Sequence, residues 1–168
     1  NGRVEPCEVF EHPYVYFGWV IEDRMTRGEA ITSFETNIES MHTALGTATV
    51  ESANAIVDKD WEVVEGTGVG GGSTIYRFRE GIERFMITDI NNPAQSAKAQ
   101  SSLALVWDGV SGDDASHFNH IPGGCNVLFM DGHVEYFRYT TLDGNVFPVN
   151  AGGMAIHELS HADEDHQH

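Results

Sequence analysis

Basic residues are scarce in this chain: nine Lys and Arg stand against 26 Asp and Glu, a formal charge of −17 over 168 residues. A polyanion repels both nucleic acid and anionic membrane surfaces, so the balance argues against either as a partner and favours divalent cations. Cysteine is scarcer still. Only Cys7 and Cys125 occur, and without a Cys-x-x-Cys pair there is no signature of a haem, a zinc ribbon or a redox dithiol. The two leave a choice open between one disulfide, worth about 4–5 kcal/mol if unstrained, and two buried thiols. No run approaches the roughly 18 apolar residues of a membrane helix, and no basic-then-apolar leader is present. No membrane insertion is therefore expected of these residues. A G-x-S-x-G elbow is also missing, and Cys125, although close to His120 in sequence, has no orienting third group.

What the chain does have is core material. Hydrophobic residues make up 40%, with nine Phe, five Tyr and three Trp, enough for one globular domain at this length. We expect that domain to span 1–150 and to be followed by a His/acid-rich tail, 151–168. Tyr14 to Ile21 is dense in aromatic and β-branched residues and reads as a buried strand. Ile31, Phe34, Ile38, Met41 and Leu45 recur at steps of three and four ahead of Gly46, which predicts an amphipathic helix from about Gly28 to Leu45. Thr47 to Asp60 carries little pattern, and Trp61 to Val64 reads as a short strand. Gly66, Gly68 and Gly71 match G-x-G-x-x-G, but Thr74 to Phe78 alternates as a strand where a dinucleotide site needs a helix, so the segment is expected to be a mobile loop. A short helix is expected near Glu80 to Ile87, and a buried strand at Ser102 to Trp107.

The most structured signal lies near the end. Asn126 to Met130 and His133 to Tyr139 are β-prone runs joined by Asp131-Gly132, a pair that favours a type I′ hairpin turn. The hairpin is expected to gather Asp108, Asp113, Asp114, His117, His120, Asp131 and His133 in neighbouring loops. Carboxylates in such loops suit Ca²⁺, which takes six to eight oxygens, while the imidazoles suit a softer ion. Turn chemistry accounts for Asp131 before ligation needs to. In the tail, His157-Glu158-Leu159-Ser160-His161 matches H-E-x-x-H, the zinc-hydrolase pattern in which two His one helical turn apart hold the metal. The extended form of that motif has Gly and His where this chain has Glu164 and Gln167, and the glycines between Asn150 and Met154 argue against a long buried helix. The match is read as chance, and the His and acidic residues around it as a solvated tail able to chelate zinc or nickel loosely.

Several stretches carry a family resemblance. Ile75 to Phe85, Thr88 to Ala94, Trp107-Asp108 and above all Asn119 to Tyr139, together with Tyr14 to Trp19, resemble the bacterial prepilin-like proteins with a His, nine-residue, Asp-Gly motif, relatives of type II secretion pseudopilins. Ten residues separate His120 from Asp131 here, one more than in the family pattern. The family's basic leader, its Phe-Thr-Leu-Ile-Glu-like cleavage site and its apolar N-terminal helix do not occur in these residues, so the chain is expected to be the globular head or a processed form. The resemblance implies an α+β pseudopilin-like head, an antiparallel sheet with a packed amphipathic helix. It also implies a non-enzymatic, secreted or cell-surface structural role in a pilus-like or other extracellular assembly, through self-association or other pilin-like subunits. Related pseudopilins often fix a loop with Ca²⁺, which directs attention to Asp108, His120 and Asp131. The alternatives are a metal-binding surface module and a zinc-dependent hydrolase using His157 and His161.

Overall fold

The structure is a computed structural model that describes residues 14–86, 99–110, 123–140 and 145–161. Its centre is a four-stranded antiparallel sheet in the order β1-β4-β5-β6, formed by β1 (Tyr14–Tyr16), β4 (Ala104–Asp108), β5 (Gly124–Phe129) and β6 (Val134–Arg138). A smaller antiparallel pair, β2 (Trp61–Glu62) and β3 (Thr74–Ile75), lies apart from it. The described residues also hold three α-helices, α1 (Ala30–Leu45), α2 (Val50–Val57) and α3 (Ala151–His161), and short 3-10 helices at Asp23–Thr26, Val69–Gly71 and Ile82–Phe85. The expected α+β class, an antiparallel sheet with a packed amphipathic helix, is the one observed.

Strand alternation decides which side of the sheet is core. Val15 pairs with Trp107, Trp107 with Val127, and Cys125 with Phe137, so these residues share one face. Trp107, Cys125 and Val127 are fully buried there. They join a single hydrophobic cluster that also takes in Phe34 and Ile38 of α1 and Met154 and Ile156 of α3. Phe34 and Ile38 lie one turn apart on the predicted stripe, which is why that helix forms and docks. A second focus is aromatic: Trp19 stacks on Trp61 at 4.6 Å, and Phe17 meets both Trp19 and Phe34. The Trp19 indole N–H donates to the Lys59 carbonyl at 2.8 Å, so its polar end is satisfied inside the core.

Four expectations change. Tyr14 to Ile21 is not one buried strand: only Tyr14–Tyr16 joins the large sheet, with both tyrosines exposed, and burial begins at Phe17. Thr47 to Asp60 contains a helix, α2, whose first turn is closed reciprocally. The Ser52 N–H donates to Thr49 Oγ1, and the Thr49 N–H donates to Ser52 Oγ. The glycine-rich segment, expected as a mobile loop, closes the β2-β3 hairpin with a short 3-10 turn at Val69–Gly71. Arg24 donates to the Gly66 and Gly68 carbonyls, and the Gly66 and Gly68 N–H groups both donate to the Gly72 carbonyl.

The fourth change concerns the tail. Residue 150 marks no break, because 151–161 is a helix packed on the body. Asn150 is 1% exposed; its Oδ1 accepts from the Gly152 and Gly153 N–H groups, and its Nδ2 donates to Thr26 Oγ1 at 2.8 Å. A Cβ on Gly152 would lie 2.4 Å from Thr26 Cγ2, and one on Gly153 would lie 1.7 Å from the Pro148 carbonyl oxygen. The glycines that suggested a broken helix are what lets this one approach so closely.

Candidate functional site

Two of the expected metal residues, Asp108 and Asp131, lie apart. Asp108 closes β4 and is 2% exposed; its Oδ2 accepts from the Asn126 backbone N–H at 2.7 Å and from Asn126 Nδ2 at 2.9 Å. A buried carboxylate is tolerable only when so bonded. Asp131 lies at the other end of β5, five residues beyond Asn126, which puts the two carboxylates roughly 15 Å apart along the strand. The hairpin therefore does not bring Asp108 and Asp131 together. His117, His120, Asp113 and Asp114 lie outside the described residues. Among the described residues no three His, Cys, Asp or Glu side chains converge to hold an ion, so these residues do not by themselves supply the oxygen set of Ca²⁺.

Asp131 is a turn residue, but not of the type expected. Among the described residues, Asp131 included, no non-glycine residue has positive φ, and Gly132 sits at +89°, so a type I′ turn is excluded. The Gly132 N–H donates to the Phe129 carbonyl and the Phe129 N–H to the His133 carbonyl. That is a three-residue loop, a turn over Met130 and Asp131 followed by glycine in the left-handed region. Asp131 Oδ1 accepts from the His133 N–H at 3.1 Å and meets His133 Nδ1. The hydrogen bond from the His133 side chain, then the one from its backbone, holds the Asp131 carboxyl below its ordinary value. The His133 ring also stacks on Phe129, with centroids 4.5 Å apart.

Cys125 carries a free, fully buried thiol; Cys7 lies outside the described residues. Burial, reinforced by the nearby Asp108 charge, pushes the thiol pKa up to about 12. A thiol held so firmly in its neutral form is no nucleophile. In α3 the backbone does place positions 157 and 161 one turn apart. The side chains of Glu158 and His161 are outside the described set.

What sequence reasoning missed is the outer face of the sheet. Tyr16, Val106, Leu128 and Val134 stand in register across β1, β4, β5 and β6, and Tyr14, Asp108, Asn126 and Tyr136 form the neighbouring row. Tyr14, Tyr16, Val134 and Tyr136 are 62%, 63%, 62% and 51% exposed. Gly124 belongs to this face as well, and a Cβ there would collide with the Tyr136 hydroxyl at 1.9 Å, so the glycine makes room for the tyrosine. The signal was available in the alternation Tyr14-Val15-Tyr16, where amphipathic aromatics flank the core residue.

Among the described residues no helix is long and apolar enough to cross a membrane. No family model, curated protein or solved structure matches the chain.

Proposed function

We propose that the protein is a non-enzymatic, exported structural subunit of a pilus-like or other extracellular assembly, joining like subunits through the outer face of its four-stranded sheet. One observation carries the reading: three exposed tyrosines and an exposed valine stand on a single sheet face in a chain of net charge −17. Contiguous apolar surface of this kind marks association sites. Tyrosine is suited to them because it buries a large ring while its hydroxyl stays hydrated or bonded. The likeness of Asn119 to Tyr139 to prepilin-like proteins supports the exported, assembling role.

Two copies meeting through the same face form a closed, two-fold pair. Sedimentation velocity tests this directly. The protein is expected to dimerise, and Tyr16→Lys, which puts a cation at one end of an otherwise uncharged row, is expected to weaken the dimer by at least about tenfold, or about 1.4 kcal/mol. Unchanged dimerisation in Tyr16→Lys, with the fold intact by circular dichroism, would overturn the reading.

A further inference from the structure

The few basic residues are unevenly placed: Arg77, Arg79 and Arg84 fall within eight positions. Arg77 is used internally, its guanidinium donating to the Gly18 carbonyl and lying 4.7 Å from the Trp19 ring. The other two frame a surface aromatic. Phe85 is 37% exposed and stacks on Tyr76 at 4.5 Å; Arg79 Cζ lies 5.6 Å and Arg84 Cζ 5.1 Å from its ring centroid. Arg79 pairs with Asp60 at 3.1 Å, whereas Arg84 has no carboxylate partner among the described residues. With both guanidinium groups lying over the Phe85 ring and the Arg79 charge met by Asp60, Arg84 leaves one uncompensated cation beside an exposed aromatic.

The complementary shape lies elsewhere on the same chain. Between α1 and β2 runs a shallow, open groove, which Glu29, Thr32, Asn37, Glu62 and Val64 help to line. Neither Glu29 nor Glu62 makes an ion pair among the described residues, and Val64 is 67% exposed. The groove thus offers two uncompensated carboxylates beside apolar surface, which is what a phenyl ring beside an uncompensated guanidinium requires.

We propose that the Phe85 knob, with Arg84 and Arg79 over its ring, docks in the Glu29/Glu62 groove of a second copy of this chain. A second copy is the fitting occupant because one chain carries both halves of the match, and because two chains of −17 repel least where an arginine meets carboxylates. Knob and groove share no residue, so the contact is heterologous and repeats from copy to copy into a ring or an open filament. The inference rests on the reading of the protein as a self-assembling subunit, and it adds the contact that would extend pairs into a polymer.

The test uses the full chain carrying Tyr16→Lys, which disables the outer face and isolates the second contact. In that background sedimentation velocity is expected to show species growing with concentration. Arg84→Glu or Glu62→Arg alone should remove every species above monomer. An equal mixture of the two should grow as an alternating copolymer, because the Arg84 knob of one meets the Glu62 groove of the other and the swapped charges pair at the next contact, and the double variant Arg84→Glu/Glu62→Arg should restore growth through the swapped pair alone. A Tyr16→Lys protein that stays monomeric while the unaltered chain associates overturns this inference and leaves the outer-face reading standing. Association unaffected by Arg84→Glu, or a mixture that does not grow, overturns it too. Assembly insensitive to Tyr16→Lys but lost in Arg84→Glu overturns the outer-face reading instead, and an unaltered chain that is monomeric throughout overturns both.

Discussion

Cys125 and Asp108 show how one residue's environment fixes its neighbour's chemistry. Asp108 stays buried because Asn126 gives it two donors, and its negative charge then adds to the burial that disfavours a thiolate at Cys125. Two measurable consequences follow. The thiol should resist alkylation in the folded protein at pH 8 and react at once when the chain is unfolded. Its pKa is raised on folding, from 9.0 to about 12, so its contribution to stability is complete below pH 9 and is lost as pH climbs toward 12. Denaturant midpoints taken across that interval should fall in the native chain and fall less in Cys125→Ala. Asp131 runs the other way, because its carboxyl is lowered by hydrogen bonds from His133. Carboxyl NMR should place its titration below 3.8, the ordinary value, and His133→Ala should return it upward, since only the backbone donor then remains.

At the scale of elements, α3 is the sharpest case of a sequence signal with two meanings. Paired glycines normally weaken a helix by about 1 kcal/mol each, and on that ground residues beyond 150 read as a tail. In the fold the same glycines allow the helix start to pass within contact of Thr26 and Pro148. Gly153→Ala therefore runs against propensity: in place of the usual gain it should cost about 2–4 kcal/mol through overpacking against a carbonyl oxygen, read as a lowered urea midpoint. The predicted α1 was legible because five apolar residues at helical spacing admit one interpretation. So was the β5-β6 hairpin, since two β-prone runs bracket a glycine. Its turn type was not, because Asp-Gly serves both a two-residue loop and the three-residue loop found here, and the choice depends on strand register. The α2 helix lay hidden because Thr49 and Ser52 form their cap from hydroxyls that a composition scan counts as loop. The site was the least legible part: Asp108 and Asp131 look adjacent when a hairpin is imagined, and strand length alone keeps them apart. The outer face escaped notice for a related reason, since an exposed Tyr16 and a buried Trp19 look alike until pairing shows which way each points.

For the molecule as a whole, charge is the term that assembly must overcome, and it acts at a different range from the contacts proposed to oppose it. A compact chain of 168 residues has a radius of gyration of about 15 Å, so the net charges of two touching copies are separated by roughly 30–40 Å. Their repulsion is felt in full when the Debye length is about 30 Å, near 0.01 M salt, and is largely gone at about 10 Å, near 0.1 M. An Arg84 guanidinium against a Glu62 carboxylate interacts within about 4 Å and survives until the Debye length falls to about 3 Å, near 1 M. The two contacts should therefore answer salt differently. In Arg84→Glu, where only the outer face with its exposed tyrosines and valine remains, association should strengthen steadily as salt rises from about 0.01 to about 1 M. In Tyr16→Lys, where only knob and groove remain, it should strengthen as the net repulsion is screened, peak near 0.1 M, and weaken again toward 1 M as the ion pairs themselves are screened. Sedimentation velocity of the two variants along one salt series separates the cases, and parallel curves would show that a single kind of contact governs both.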